Sequence, residues 1–112
     1  MGTATIEWVD LRANNATVAT NVNDTPVDLK SIDFTNSSFE VVATTATSTD
    51  SGTPPATATH AVVTSVGSSH YVRITTAPTT STGGVTIMSG GSRLIAVEGG
   101  AAGSVLKICT TS

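Results

Sequence analysis

Two histidines are the side chains of this chain best suited to metal or acid–base chemistry. His60 and His70 lie ten positions apart, on what we predict to be different strands, with no cysteine or carboxylate pattern around them. A zinc site needs three or four such ligands at short spacings. The spacing therefore predicts two surface or cross-strand histidines, with no metal site and no catalytic residue.

Cys109 is the only cysteine, so an internal disulfide is impossible. It alternates with Ile108 near the end of a predicted strand, and no basic residue is placed near it in the sequence. A nucleophilic thiol needs a neighbouring base or cation that favours the thiolate. We therefore predict a packed or edge thiol.

Three carboxylates of the N-terminal half, Asp24, Asp28 and Asp33, are the nearest approach to a calcium site. The ligand spacing of an EF-hand loop is absent, and the glycine pairs of the chain do not match a loop that cradles phosphate before a helix. The interpretation is solvated carboxylates, no cofactor and no enzymatic activity.

Charge is sparse and unevenly distributed. Charged residues make up 12% of the chain and the net charge is −3, with −5 in residues 1–50 and +2 in residues 51–112. Proteins that bind nucleic acid usually carry a basic patch, so this pattern argues against that partner. The opposite signs leave two interpretations open: head-to-tail docking of copies, or two differently charged surfaces of one domain.

Length and composition predict one domain that spans residues 1–112. Serine and threonine make up about a third of the chain, and there are only one Trp, one Tyr and two Phe. This composition is typical of strands and turns. No apolar stretch approaches the roughly 20 residues of a membrane helix, and no signal peptide is visible, so we expect folding in a cytoplasm and no membrane partner.

The clearest strand pattern lies at residues 70–77. Val72, Ile74 and Thr76 alternate with three residues on the opposite face, which is the period of two that a half-buried strand requires. Turn signals and further short strands lie on both sides. We therefore predict a central strand here.

Four strands are predicted in the first half, at residues 3–9, 16–22, 27–34 and 39–45. Turns are predicted at 10–15, 23–26 and 36–38, with a bulge or break between Leu29 and Ile32. Trp8 is the largest apolar side chain, so we expect it to anchor the core. The alternative is an exposed Trp8 that contacts a partner.

The second half begins with a low-complexity segment, residues 46–59, that we predict to be a long exposed loop. Strands follow at 60–66, 70–77, 85–88, 93–98 and 105–110, the first two joined as a hairpin at 67–69. Eight or nine short strands at this spacing predict an all-β, antiparallel β-sandwich. Jelly-roll and immunoglobulin-like topologies both fit.

The run from residue 60 to 111 resembles a pattern found in small structural proteins of tailed bacteriophages. The resemblance lies in the "YVRI" segment at residues 71–74, the short strand and glycine at 85–90, and the "RLIAVEGG" segment at 93–100. The first 59 residues match no such pattern. Proteins of this kind are compact β-sandwiches that serve as cement or decoration subunits on capsids, or as minor head components.

The resemblance implies a structural virion protein on the capsid surface, made in the host cytoplasm, that bridges and stabilises major capsid proteins. Its expected partners are the major capsid protein and copies of itself, as a dimer or trimer. A tail or head–tail component and a carbohydrate-binding adhesion module are the alternatives. We expect partner contacts from an N-terminal strand or arm (residues 1–10) and from the 46–59 segment, with these residues: Ile6, Trp8, Asp50, Thr53, Pro54 and Pro55.

Overall fold

Two four-stranded antiparallel sheets packed against each other make up most of the molecule, which confirms the predicted all-β sandwich. The computed structural model describes residues 2–20, 26–32 and 38–112. Within these ranges the strands are β1 (Gly2–Val9), β2 (Leu11–Thr20), β3 (Pro26–Ile32), β4 (Ser38–Thr44), β5 (Thr49–Asp50), β6 (His60–Val66), β7 (His70–Arg73), β8 (Val85–Ile87), β9 (Ser92–Ala96) and β10 (Lys107–Thr110), with one 3₁₀ turn at Ala102–Ser104.

The first sheet has the order β4-β1-β6-β9. Strand β1 lies between β4 and β6, and its alternation turns Ala4, Ile6 and Trp8 towards the second sheet. Trp8 is 4% exposed, so the prediction that it anchors the core is confirmed. Burial of these side chains on one face is what a period of two provides.

The second sheet has the order β5-β10-β7-β8, and β7 lies between β10 and β8. The predicted central position of this strand is thus confirmed. The strand is shorter than predicted, however, and ends at Arg73. The ladders explain this, because Arg73 pairs with the first residue of β10 and Val72 pairs with the first residue of β8. Beyond these positions neither neighbour offers a backbone to pair with.

The core lies between the two sheets. Its side chains are mostly aliphatic and come from strands of both sheets and from the segments that lead into them: Ala4, Ile6, Trp8, Val42, Ala58, Ala61, Val63, Val72, Ile87, Leu106 and Ile108. No helix in the described part of the chain is long and apolar enough to cross a membrane.

The turn predicted at residues 10–15 is wrong. Strand β2 begins at Leu11, one residue after β1 ends, and pairs with β3 as a two-stranded antiparallel ribbon. The pairing register shifts between Ala13 and Thr17, opposite Lys30 and Asp28. The two asparagines that signal a turn therefore fall in an irregularity within a strand, where the extra residues are accommodated.

Strand β3 also differs from the prediction. It begins at Pro26, which we assigned to a turn, and runs without a break from Leu29 to Ile32. The register shifts lie at other pairs of the ribbon. The rest of the predicted turn at 23–26, the turn residues 36–37 and the strand residues 21–22 and 33–34 lie outside the described residues.

The hairpin predicted at residues 67–69 is wrong as well. Strand β6 pairs with β1 and β9 in the first sheet, whereas β7 pairs with β10 and β8 in the second. Gly67, with φ +78°, lies in a connection that carries the chain across the sandwich. A hairpin and such an arch present the same local sequence: two alternating runs joined by small turn residues.

Residues 46–59 do not form one exposed loop. Thr49–Asp50 is an edge strand that pairs with β10, and Ser51, Pro54 and Ala58 are buried. The Ser51 amide donates to the Leu106 carbonyl at 2.8 Å, and the Leu106 amide donates to Ser51 Oγ at 2.9 Å. Hydrogen bonds to the main body hold this segment in place.

Candidate functional site

The outer face of the first sheet carries large apolar side chains in contact with solvent. Phe39 is 67% exposed and Val41 59%, both on edge strand β4, while Val66 is 52% and Leu94 55% exposed on β6 and β9. Exposed apolar side chains that share one face of a sheet are candidates for an interaction site, since large apolar patches on soluble domains mark such sites. We define these four residues as the outer apolar face.

The strand registers place these residues relative to one another. Phe39 pairs with Glu7, Glu7 with Val62, and Val62 with Leu94, so one row crosses all four strands. Residues that pair directly in antiparallel strands point to the same side of the sheet. The row is therefore apolar at both edges, with the exposed carboxylate of Glu7 beside Phe39.

A shallow depression of about 370 Å³ lies beside Phe39, lined also by Thr5, Glu7 and Ser38. An aromatic ring next to a carboxylate and two hydroxyls offers both a stacking surface and hydrogen-bonding groups. A flat ligand with polar edges matches this combination.

Strand β4 also leaves one edge of the first sheet open. Among the described residues β4 forms a ladder with β1 alone. Natural proteins guard long edges with lysine, proline, bulges or inward charges, and β4 has no lysine and no proline. Its one charge, Glu40, accepts hydrogen bonds from the Gly52 amide at 2.9 and 3.2 Å. Glu40 points inward and is thus such a guarding charge, but its carboxylate is bonded within its own copy, and among the described residues the far side of β4 has no ladder partner.

The residues that we predicted as partner contacts are not brought together in one surface. Ile6 is 0% exposed, Trp8 is 4% exposed, and Pro54 is buried, so these three side chains pack inside the sandwich. A partner could reach Ile6 or Trp8 only if β1 left its sheet. Asp50 and Thr53 are exposed, and Asp50 pairs with Lys107 Nζ at 3.2 Å.

Pro55 is half-buried next to these residues, and a contact through Asp50, Thr53 and Pro55 stays a prediction. The sequence did not lead us to predict the outer apolar face. The signal that could have found it is the run Phe39-Glu40-Val41-Val42, in which apolar residues fall on both faces of one strand.

A second concave surface lies where β7 ends and β8 begins. This cleft of about 640 Å³ is lined by Arg73, by three threonines (Thr75, Thr76 and Thr82), and by apolar residues that include Ile74 and Ile95. A Cβ added at Gly84 would lie 2.9 Å from Arg73 Cγ, so the glycine lets β8 approach the arginine stem. The cleft offers one cation and several hydroxyls at its rim.

His70 is not a surface residue, because it is 0% exposed and lies between the sheets. Its Nε2 lies 2.6 Å from Thr44 Oγ1, and its Nδ1 lies 2.8 Å from Ser65 Oγ, which donates to the Ile87 carbonyl at 3.1 Å. Because the Ser65 hydrogen is used, Nδ1–H donates to Ser65 Oγ, and in the neutral imidazole Nε2 accepts from the Thr44 hydroxyl.

Burial favours the neutral imidazole and lowers the pKa of His70 below its ordinary value. Ser65 is also 0% exposed. A serine and a histidine in hydrogen-bonding contact can form a nucleophile and base, but a substrate cannot reach this pair. We call Thr44, Ser65 and His70 the His70 cluster. Its hydrogen bonds join the two sheets. His60, on β6, is half-buried, and its Nδ1 lies 2.9 Å from Thr59 Oγ1.

Cys109 is buried, as predicted for a packed thiol, and burial raises its pKa. The thiol is accordingly the stable form. In the ranges 2–20, 26–32 and 38–112 no three His, Cys, Asp or Glu side chains come close enough to hold a metal ion. Asp28 lies on β3, whereas Asp24 and Asp33 lie outside the described residues.

Comparison with known proteins gives no indication of function. No protein-family model matches this chain, and no curated protein or solved structure is similar enough to count as a match.

Proposed function

We propose that this chain is a structural virion protein of a tailed bacteriophage, a capsid cement or decoration subunit that bridges and stabilises major capsid proteins. The observation that carries the proposal is the outer apolar face, with Phe39 67% and Val41 59% exposed beside an open strand edge. A subunit that works by docking needs such a surface and needs no reactive group.

The two-stranded ribbon of β2 and β3 supports the same proposal. Among residues 2–20, 26–32 and 38–112 its strands form a ladder with each other and with no further strand, as a separate sheet. An isolated two-stranded ribbon is marginally stable in water, and packing against a neighbouring protein stabilises such a ribbon by adding burial. The partners under this proposal are the major capsid protein and other copies of this chain.

The copy number of this chain in purified particles tests the proposal. Quantitative mass spectrometry would compare it with the major shell protein. A ratio near one, or a simple fraction such as a third, would support a subunit spread over the capsid lattice. A handful of copies would favour a tail or head–tail component. Complete absence from particles would contradict a virion role.

A binding assay tests whether the outer apolar face is the docking surface. We expect Phe39→Asp to lose most of its binding to purified capsids, because a desolvated carboxylate replaces an apolar contact. Val85→Asp is the matched control, since Val85 is 44% exposed on the second sheet. Equal binding by both variants would show that the docking surface lies elsewhere on the molecule.

A carbohydrate-binding adhesion module is the second candidate, favoured by the depression beside Phe39. Sugar sites stack rings on aromatic side chains and hold hydroxyls through carboxylates, and Phe39 and Glu7 lie together there. A glycan binding screen of the wild type and Phe39→Ala decides this. Binding that disappears in Phe39→Ala would support adhesion, and a wild type that binds no glycan would exclude it.

A further inference from the structure

We propose that two copies of this chain pair through their β4 edges, antiparallel, around a two-fold axis at Val41. The two first sheets would then form one continuous sheet across the dimer. The inference rests on the proposed function, in which copies of the chain are partners of one another. It goes further by assigning the interface, the symmetry and the register.

The symmetry limits which registers are possible. When two antiparallel copies of a strand continue one sheet, residues that point to the outer face of one copy pair with residues that point to the outer face of the other. Odd-numbered residues of β4 therefore pair with odd-numbered ones, and even-numbered residues with even-numbered ones. The axis must therefore pass through a residue of β4. Near the middle of Ser38–Thr44 the choices are Glu40, Val41 and Val42.

Charge and pairing length select among these three. An axis at Glu40 would place two carboxylates directly opposite each other, which is destabilising. An axis at Val42 would leave Ser38 and Phe39 without partners inside β4, and an axis at Glu40 would do the same to Ala43 and Thr44. An axis at Val41 pairs all seven residues of the strand.

The side chains complement one another in this register. On the outer face Phe39 lies opposite Ala43 of the second copy, a large residue against a small one, and Val41 lies opposite its own counterpart. Cross-strand apolar pairs of this kind stabilise sheets. The pairing would cover one flank of the two most exposed apolar side chains of β4, at 67% and 59%, while the outer face itself stays open.

Nearby charges permit the pairing. On the inner face Glu40 lies opposite Val42 of the second copy, and its carboxylate already accepts from the Gly52 amide. Glu7 pairs with Phe39, so its row continues into the second copy through Ala43 to Thr3, since Thr3 pairs with Ala43. Within β4 no like charges lie directly opposite each other in this register, and the two Glu40 side chains are diagonal neighbours on the inner face.

The strength of the interaction follows from its size. One strand pair with a few side chains buries less area than the roughly 1,600 Å² of a standard interface. We therefore expect weak dimerisation, in the micromolar range, that a capsid lattice would reinforce by holding copies close together.

Sedimentation velocity over a concentration series tests the dimer. We expect concentration-dependent dimerisation of the wild type and monomers for Val41→Lys, which places two ammonium groups at the axis. Leu94→Lys is the matched control, because Leu94 is 55% exposed on the opposite edge strand of the same sheet. It should dimerise like the wild type. A wild type that stays monomeric, or equal loss in both variants, overturns the proposal.

Cross-linking with a short bis-maleimide tests the register. Val41→Cys should cross-link with itself. Phe39→Cys should not, but it should cross-link when mixed with Ala43→Cys. Cys109 is buried, so the wild type gives the background. Efficient self-cross-linking of Phe39→Cys would overturn the Val41 axis.

The two proposals fail separately. A monomeric wild type that is nevertheless present in particles refutes the dimer and leaves the virion role intact. A wild type that dimerises but is absent from particles refutes the virion role and leaves the dimer intact.

Discussion

Thr44 and His70 belong to different sheets, yet Thr44 Oγ1 and His70 Nε2 lie 2.6 Å apart in the middle of the sandwich. Ser65 binds the other ring nitrogen from β6, so one imidazole connects both sheets through hydroxyl groups. Both hydroxyl partners are 0% exposed. A core this poor in large apolar side chains thus gains a fixed polar connection between its layers.

The His70 cluster predicts a loss of stability in mild acid. Burial lowers the pKa of His70, so between that pKa and the ordinary value of about 6.5 the unfolded chain binds one more proton than the folded chain. The contribution of neutral His70 to the free energy of unfolding is complete above about pH 6.5. It declines as the pH falls below that value, by up to about 1.4 kcal/mol per pH unit. Urea unfolding at several pH values measures the slope.

His70→Gln is the control, since it removes the titrating group and keeps a polar side chain in the core. We expect a shallower dependence of unfolding free energy on pH below 6.5 in this variant. An unchanged slope would show that His70 is not the group responsible.

Removing one hydroxyl from the cluster should also be costly. Thr44→Val keeps the shape of the side chain and leaves Nε2 of His70 buried without a donor, which costs about 1–3 kcal/mol. Thr64→Val is the matched control for Thr44→Val, because Thr64 Oγ1 lies 2.7 Å from Ser92 Oγ in an exposed hydrogen bond. We expect it to change stability by less than about 0.5 kcal/mol. Similar losses in the two variants would contradict the role of the buried cluster.

Gly99 should not tolerate a side chain. A Cβ there would lie 2.4 Å from the Ala56 carbonyl oxygen and 2.7 Å from that of Ala58. Gly99→Ala should therefore push the 46–59 segment away and lower Tm, with a cost of about 1–3 kcal/mol, as in other overpacked sites. Gly103→Ala is the control, since a Cβ there meets nothing within 4 Å. A Gly99→Ala variant as stable as Gly103→Ala would disprove the close packing.

The outer and inner faces of the molecule should respond differently to truncation. Ile6 is 0% exposed, so Ile6→Ala should cost about 2–5 kcal/mol through lost burial and the cavity left behind. Leu94→Ala, at a 55% exposed position, should cost less than about 0.5 kcal/mol. Denaturant unfolding measures both. A small effect of Ile6→Ala would mean that β1 is not held in the first sheet.

Strand positions could be predicted from the sequence because alternation is a local property. Strands β1, β4 and β6 lie close to their predicted bounds, and the alternation correctly placed Trp8 in the core. The sheet to which each strand belongs is set by distant partners. For this reason the arch after Val66 was mistaken for a hairpin, since small turn residues serve both connections.

The candidate site was harder to predict, for a physical reason visible in β4. Phe39 and Val41 alternate with Val42 and Thr44, so hydrophobicity alone does not decide which face is buried. The structure buries the face with Thr44, where His70 supplies a hydrogen-bonding partner. This contact joins two residues far apart in sequence, so local alternation could not reveal that the larger apolar side chains of β4 face solvent.

The strand order of the sandwich has a consequence for synthesis on the ribosome. Strand β1 emerges first but occupies the middle of its sheet, and its partner positions in β6 lie more than 50 residues later. Strand β10 joins β5 to β7, so the second sheet cannot close until residues 107–110 have emerged. Such non-local pairing is slow to form. Nascent chains would therefore carry β1 strands with one edge unpaired even after β4 has formed, and crowded translation of this message would favour their capture by chaperones or by one another.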